Sequence, residues 1–307
     1  MSIKKIKNPD QFCKQTISEA VECFLKKCRL KNLSPRSLEF YEDTIKHFTT
    51  AQRLKYIEEI SQDVLDEFVL GEMNRNLRIT SINNHLRGIR AFLNFCFKQK
   101  YLEPFPIALL KEDETVKDPY TDEELIRLLK QPQTDNWVEW RSWAVVNMFI
   151  ATGIRAGTLI SIKICDLDFE NSSIRLRKLK NRKQQFIPMS SSLKSVLDTY
   201  LKTWDWNPED YLFPSQSNTQ MESHSIYSSI RKYNVSRNVM KTSIHLFRHT
   251  FAKNYIIAGG GMMQLQAILG HSTMNMTRHY VNLYGSDIQK DFDLLNPLNR
   301  IVEKARQ

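Results

Sequence analysis

The chemistry of the chain is concentrated in residues 245–280, which read HLFRHTFAKNYIIAGGGMMQLQAILGHSTMNMTRHY. His245 lies three residues before Arg248, His271 follows a glycine, and Tyr280 ends the segment. The chain contains only 7 histidines, so this grouping of imidazoles with a guanidinium and a phenol is unusual for it. Hydrogen-bond donors, a fixed positive charge and an oxygen nucleophile together suit chemistry on a phosphate group.

The same segment predicts two helices that fix the spacing of these side chains. Residues 245–257 form the first helix, which places His245 and Arg248 one turn apart on one face, and three glycines end it. Residues 262–269 form the second helix, which ends at the glycine directly before His271. A zinc-protease helix is excluded because no glutamate follows His245.

Composition limits the class of protein. With 307 residues, the chain is expected to form two domains, and 41% hydrophobic residues are enough for ordinary cores. Lys and Arg number 44 against 34 for Asp and Glu, and the pI is about 9.3, so a polyanionic partner such as nucleic acid is favoured.

The five cysteines are odd in number and form no CxxC pair, which disfavours a disulfide framework or zinc site and favours a reducing compartment. The basic N-terminus lacks the apolar core of a signal peptide, and no apolar run is long enough for a bilayer. We therefore expect a cytoplasmic protein without membrane association.

The N-terminal third predicts an all-helical domain over residues 12–102. Four helices are predicted: Thr16 with Glu19 caps the first, Ser34 before Pro35 caps the second, the third follows Ser61, and the fourth begins near Thr80 and Ser81. The outer faces carry many basic residues: Lys26, Lys27, Arg29, Lys31, Arg36, Arg75, Arg78, Arg87, Arg90, Lys98 and Lys100. These are either ordinary solvated faces or the surface of a DNA-clasping domain that neutralises phosphates.

A linker and a second domain are predicted to follow. Residues 103–120 contain prolines and a charged run without a sustained period, which indicates an inter-domain linker. Residues 121–284 predict a mainly helical domain with a small β-hairpin, and residues 285–307 predict a C-terminal helix. The fold class is thus mainly α, with a four-helix domain followed by an α/β domain.

Two further basic groups stand outside the opening segment. Arg155 follows the glycine that ends a long apolar helix at residues 136–151, so its guanidinium can project from a helix junction. A packing or surface role is the alternative for this residue. Residues 178–183 form a basic hairpin tip, where a lysine can deliver a proton to a substrate or can be an ordinary solvated turn residue.

These motifs together resemble the tyrosine recombinases, or lambda-integrase family, which includes Xer-type resolvases and the integrases of phages and other mobile elements. The resemblance rests on five motifs in order, and it covers nearly the whole chain. The motifs are ATGIRAGTL around Arg155, the hairpin lysine, HLFRHTFA around Arg248, LGHS around His271, and RHY at Tyr280.

The resemblance implies a site-specific DNA recombinase that forms a covalent 3′-phosphotyrosyl intermediate without ATP, cofactor or metal ion. Tyr280 would be the nucleophile, Arg155 and Arg248 would hold the phosphate, and His271 would donate a hydrogen bond to it. His245 would act as hydrogen-bond partner and general base. A lysine of the hairpin would protonate the leaving 5′-oxygen; counting back from Ile187-Pro188-Met189 selects Lys180, with Lys178 as the alternative.

Three features depart from the family pattern. The family's HxLR motif reads His245-Leu246-Phe247-Arg248 here, a packing change that leaves both candidate catalytic positions intact. The family often has an acidic residue three positions after the first arginine, where this chain has Thr158, and the hairpin lacks the glycines usual beside the catalytic lysine. The resemblance also implies double-stranded DNA as partner and a homotetramer on two DNA sites, to which the tail 285–307 would contribute by docking on a neighbouring protomer. Accessory DNA-bending proteins are further partners that the sequence leaves open.

Three other functions compete with recombination. A catalytically inactive DNA-binding protein of this fold is disfavoured by the complete set of candidate catalytic residues. A type IB topoisomerase shares the chemistry but does not need the docking-type tail. A metal-dependent nuclease or phosphatase is least favoured because the sequence lacks the carboxylate cluster that would bind metal.

Overall fold

The computed structural model describes residues 15–112, 118–176 and 185–271, together with residues 273, 274 and 277. The chain divides into two compact units, Met1–Thr115 and Val116–Gln307. Each unit has its own hydrophobic core, and the two cores share no residue. Within the described residues, no helix is both long and apolar enough to span a bilayer.

The first unit is built from four helices, the first three of which begin directly after the predicted residues Thr16, Ser34 and Ser61. They are α1 (Ile17–Leu30), α2 (Pro35–Ala51), α3 (Gln62–Asn74) and α4 (Ile79–Lys98). Thr16, Ser34 and Ser61 each accept a backbone N–H with the side chain, which satisfies donors that the first helical turn leaves unpaired. Helix α4 begins slightly before the predicted pair of polar residues, and its N-cap Arg78 makes no side-chain cap.

The core of the first unit is rich in aromatic rings. Phe48 and Phe68 are almost completely buried and meet edge to face at 5.2 Å between ring centroids. The chain after α4 also packs on this core through Phe105, Ile107, Leu109 and Leu110. Asn83 holds this segment, because its side chain donates to the Leu110 carbonyl at 2.9 Å and accepts from the Leu110 N–H at 2.8 Å. The first part of the predicted linker is therefore held against the first unit.

The second unit is mostly helical. Its helices are α5 (Asp122–Leu129), α6 (Trp137–Thr152), α7 (Ala156–Leu159), α8 (Ser191–Leu201), α9 (Ser223–Ser236), α10 (Ile244–Ile257) and α11 (Met262–Leu269). Helix α6 is apolar nearly all round, as expected for a helix enclosed by others, and α5, α8, α9 and α10 pack against it. Phe149 of α6 stacks on Phe247 of α10, which in turn stacks on Tyr120, so the position of α10 is fixed by aromatic contacts.

A three-stranded antiparallel sheet accompanies these helices. Strands β2 (Ser173–Leu176) and β3 (Gln185–Pro188) form the predicted hairpin, with the buried residues Ile174 and Ile187 paired across it. Strand β1 (Leu167–Asp168) pairs with β2 and was not predicted, because two residues carry no periodic signal. The predicted fold class, mainly helical with a small β-structure, is confirmed.

Candidate active site

The junction between α6 and α7 places Arg155. Helix α6 ends at Gly153, which adopts the left-handed conformation with φ of +60°, and Arg155 is the N-cap of the short helix α7. A Cβ atom at Gly153 would collide with the ring of Phe251 and with the side chain of Leu269. Glycine is therefore required both for the turn and for the close approach of α10 and α11 to it.

Arg248 lies deep in the second unit, with only 3% of its surface exposed. Its guanidinium donates from Nη1 to the carbonyl of Gly153 at 2.6 Å and from Nη2 to the carbonyl of Leu269 at 2.8 Å. Arg155 donates from Nη1 to that same Leu269 carbonyl at 3.3 Å. Two guanidinium groups from separate helices thus converge on one carbonyl oxygen at the C-terminal end of α11, where the helix dipole favours positive charge.

His271 is positioned by the end of α11. Gly270 takes the left-handed conformation with φ of +63°, and the His271 N–H then donates to the Gln266 carbonyl at 3.1 Å. The imidazole is buried, with Nε2 2.7 Å from Nη2 of Arg248 and Nδ1 2.9 Å from Oγ1 of Thr277. Because a guanidinium can only donate, Nε2 is the acceptor and Nδ1 carries the proton that it donates to Thr277.

The charge state of His271 follows from this environment. Burial is the largest cause that lowers the pKa of His271, the positive charges of Arg248 and Arg155 act in the same direction, and together they bring it to about 4. The imidazole is therefore neutral at pH 7. It serves as an acceptor that orients the Arg248 guanidinium.

His245 stands at the solvent-exposed start of α10, in contrast to the buried Arg248 three residues later on the same helix. The structure therefore brings Arg155, Arg248 and His271 into one hydrogen-bonded group. His245 lies outside this group, at the surface, one helical turn before Arg248. Lys178, Lys180 and Tyr280 lie outside the described residues, as does the tail 285–307.

Several participants in this site could not be recognised from the sequence. The Gly153 carbonyl accepts from Arg248 and the Leu269 carbonyl accepts from both arginines, but any residue carries a carbonyl, so no residue type marks them. Thr277 is fully buried against His271, although it resembles any other threonine in the sequence. Thr158, which replaces the acidic residue frequent in the family, is also buried, on α7.

Chemically, the group is suited to binding an anion with several oxygens. Guanidinium forks remain protonated at any physiological pH and match the spacing of phosphate oxygens. Here the guanidinium of Arg248 is immobilised by burial and by three polar contacts. The guanidinium of Arg155 shares one of these partners, the Leu269 carbonyl. A site already organised in this way loses little free energy in reorganisation when charge develops on a bound phosphate.

Comparison with known proteins agrees with the geometry. Residues 120–286 match the model of the phage integrase family. The tyrosine recombinase XerD of Staphylococcus haemolyticus (strain JCSC1435) is 24% identical over 290 residues, which cover 90% of this chain and 98% of the relative.

Solved structures show the same fold. The Tn1549 transposon integrase in complex with transposon right end DNA aligns with a TM-score of 0.73 and 20% identity, over 90% of this chain and 99% of the other. A lambda integrase tetramer bound to a Holliday junction aligns with a TM-score of 0.72 and 14% identity, over 88% and 78% of the two chains. Because the family model spans more than half of the chain, the chain belongs to the phage integrase family, the tyrosine-type site-specific recombinases.

Proposed function

We propose that the chain cleaves and rejoins double-stranded DNA, with Tyr280 as the nucleophile and Arg155, Arg248 and His271 as the site of the scissile phosphate. The observation that carries the proposal is the convergence of both guanidinium groups on the Leu269 carbonyl. In the DNA complex, non-bridging phosphate oxygens would compete with this carbonyl for the same donors. A charged acceptor forms stronger hydrogen bonds with guanidinium than a carbonyl does.

The covalent step balances without a cofactor. The phenolic oxygen of Tyr280 attacks phosphorus and loses its proton, and the bond from phosphorus to the 5′-oxygen breaks. The products are a 3′-phosphotyrosyl link and a free 5′-hydroxyl, which can attack the link of another strand in the reverse direction. His245 would accept the phenol proton, since a free phenol has a pKa of about 10 and attacks poorly at neutral pH. Lys180, or Lys178, would protonate the leaving oxygen.

The neutral state of His271 has a consequence for its role. Its Nε2 accepts from Arg248, so the ring has no N–H directed to a phosphate while Nδ1 donates to Thr277. A bound phosphodiester would offset the two arginine charges that help to lower the pKa of His271. We propose that phosphate binding raises this pKa, so that a protonated Nε2 can donate to the phosphate in the transition state.

The first unit would hold the DNA backbone. Every basic residue predicted for this role is exposed, namely Lys26, Lys27, Arg29, Lys31, Arg36, Arg75, Arg78, Arg87, Arg90, Lys98 and Lys100. Lys27, Lys31 and Lys98 line one concavity between α1 and α4, where three ammonium groups can contact a phosphate group. We propose that residues 12–102 form the DNA-clasping domain and residues 121–284 the catalytic domain.

We further propose that the chain acts as a homotetramer on two DNA sites, with the tail 285–307 docking on a neighbouring protomer. The tetrameric lambda integrase bound to a Holliday junction supports this assembly by similarity of fold. A role in a mobile element is supported by likeness to the Tn1549 transposon integrase, and a Xer-type role by similarity to XerD.

The experiment is incubation with a nicked suicide site taken from the ends of the element or chromosomal region that encodes the protein, followed by a denaturing gel. Wild type should give a protein–DNA adduct in buffer containing a chelator, and Tyr280→Phe should give none while still shifting the DNA in a native gel. Arg248→Lys should lower the rate of adduct formation by about 10²–10³-fold, because one fork donor to the phosphate is lost. DNA binding without any adduct by wild type would favour the inactive DNA-binding alternative.

A further inference from the structure

Three side chains that can bind a metal ion converge within the first unit. Glu72 on α3 is only 2% exposed, and its Oε2 atom lies 3.1 Å from Nε2 of His47 on α2. The same oxygen lies 3.0 Å from Nδ1 of His85 on α4. The other carboxylate oxygen, Oε1, accepts from Nη1 of Arg75 at 3.0 Å. Two imidazoles from different helices therefore meet at one buried carboxylate oxygen.

The distances are close to those of a tetrahedral metal site. Zinc bonds to imidazole nitrogen and carboxylate oxygen are about 2.0–2.1 Å long, which places neighbouring ligand atoms about 3.4 Å apart. The three ligand atoms here all lie within 4.8 Å of one another, and the two contacts to Oε2 are slightly shorter than the tetrahedral spacing. The two contacts to Oε2 would have to lengthen by only about 0.3–0.4 Å to reach the tetrahedral spacing.

The surroundings also suit a bound ion. Arg75 orients the carboxylate of Glu72 and leaves Oε2 directed at both imidazoles. The ring of Phe68 packs against His47 and His85, which gives the cluster an apolar wall. The two histidine side chains are 33% and 26% exposed, so an ion has a path from solvent and a water molecule has room as a fourth ligand.

We propose that His47, Glu72 and His85 bind a Zn²⁺ ion that links α2, α3 and α4 of the first unit. Two imidazole nitrogens with one carboxylate favour zinc over magnesium or calcium, which prefer oxygen ligands. On binding, each neutral imidazole directs a lone pair at the ion and keeps its proton on the opposite ring nitrogen. Such an ion would stabilise the first unit, because the ligands on α2 and α4 are 25 and 13 residues from Glu72 in the sequence.

The test uses untagged, full-length protein freed of metal with a chelator and then titrated with Zn²⁺ against a coloured zinc indicator. We expect one equivalent to bind with micromolar or tighter affinity, and His47→Gln and His85→Gln each to weaken binding at least about 10-fold. His224→Gln is the matched control, since His224 is an exposed histidine of the second unit, and it should bind as wild type does. Absence of zinc binding, or unchanged affinity in both cluster variants, would overturn the proposal.

A second measurement on wild type does not depend on the variants folding correctly. Hydrogen exchange with and without Zn²⁺ should show slower exchange, by about 10-fold or more, in peptides of α2, α3 and α4. Peptides of α9, which carries His224, should exchange at the same rate in both conditions. Protection confined to the second unit would show that zinc binds elsewhere and would overturn the proposed site.

Discussion

The substitution Gly153→Ala tests whether the turn after α6 organises the candidate active site. Gly153 has φ of +60°, its carbonyl accepts from Arg248, and a Cβ atom there would collide with Phe251 and approach Leu269 Cδ2 to 2.8 Å. The added methyl group therefore strains the backbone and separates α6 from α10 and α11. Both effects act on the carbonyl that holds the buried guanidinium.

The destabilisation by Gly153→Ala has two contributions, backbone strain and overpacking, which substitutions at two control glycines separate. A left-handed conformation costs a non-glycine residue about 1–2 kcal/mol, and overpacking of a filled core costs about 1–3 kcal/mol more. We therefore expect Gly153→Ala to lower the free energy of unfolding by about 2–5 kcal/mol. Gly259 also has a positive φ, of +87°, but no atom of the described residues lies within 4 Å of its Cβ position, so Gly259→Ala should show the backbone strain alone. Gly157 has neither feature, and Gly157→Ala within α7 should stabilise by about 0.5–1 kcal/mol.

Urea unfolding followed by tryptophan fluorescence is the assay. All 5 tryptophans belong to the second unit, so the signal reports on that unit alone: Trp137, Trp140, Trp143, Trp204 and Trp206. Stability should increase in the order Gly153→Ala, Gly259→Ala, wild type, Gly157→Ala. If Gly153→Ala were no less stable than Gly259→Ala, the inferred collision with α10 and α11 would be refuted.

Three further predictions follow from other parts of the molecule. The pKa of His271 in the folded state, about 4, is below its ordinary value of 6.5, so its contribution to stability is complete above pH 6.5 and is lost as the pH falls toward 4. The free energy of unfolding of wild type should fall by up to about 3 kcal/mol over this range, and that of His271→Gln should depend less on pH. Parallel pH curves for the two proteins would contradict this. Asn83→Ala should lower the free energy of unfolding by about 1–3 kcal/mol and speed hydrogen exchange in residues 103–112, because both hydrogen bonds to the Leu110 backbone are lost. Unchanged exchange in these residues would show that Asn83 does not hold the segment. Replacing Lys27, Lys31 and Lys98 by Gln should reduce the slope of log affinity for DNA against log salt by up to about 2.7, and an unchanged slope would exclude these lysines from phosphate contacts.

The sequence predicts those parts of the fold that depend on local signals. Thr16, Ser34 and Ser61 each precede a helix as expected, because a capping side chain and its partner are only a few residues apart. The hairpin of β2 and β3 was recognisable because apolar residues flank a basic turn. Both kinds of signal lie within a single short window of sequence.

Features that depend on long-range packing were not predictable in this way. Arg248 had the expected position on its helix, but its burial depends on carbonyl groups from two other segments. The cluster around Glu72 joins three helices and has no ligand spacing that a motif could detect. Asn83 likewise holds a segment 27 residues away, and it does so through backbone groups of that segment. Any residue type carries such groups, so the sequence does not mark the partner.

The central proposal is that Tyr280 attacks a DNA phosphate held by Arg155 and Arg248. The most direct measurement is mass spectrometry of the nucleotide-linked peptide, recovered by protease and nuclease digestion of the suicide-substrate adduct. We expect a single linkage at Tyr280, through the 3′-phosphate of the cleaved strand, with the 5′-hydroxyl of the other fragment free. A linkage at another residue, or to a 5′-phosphate, would contradict it.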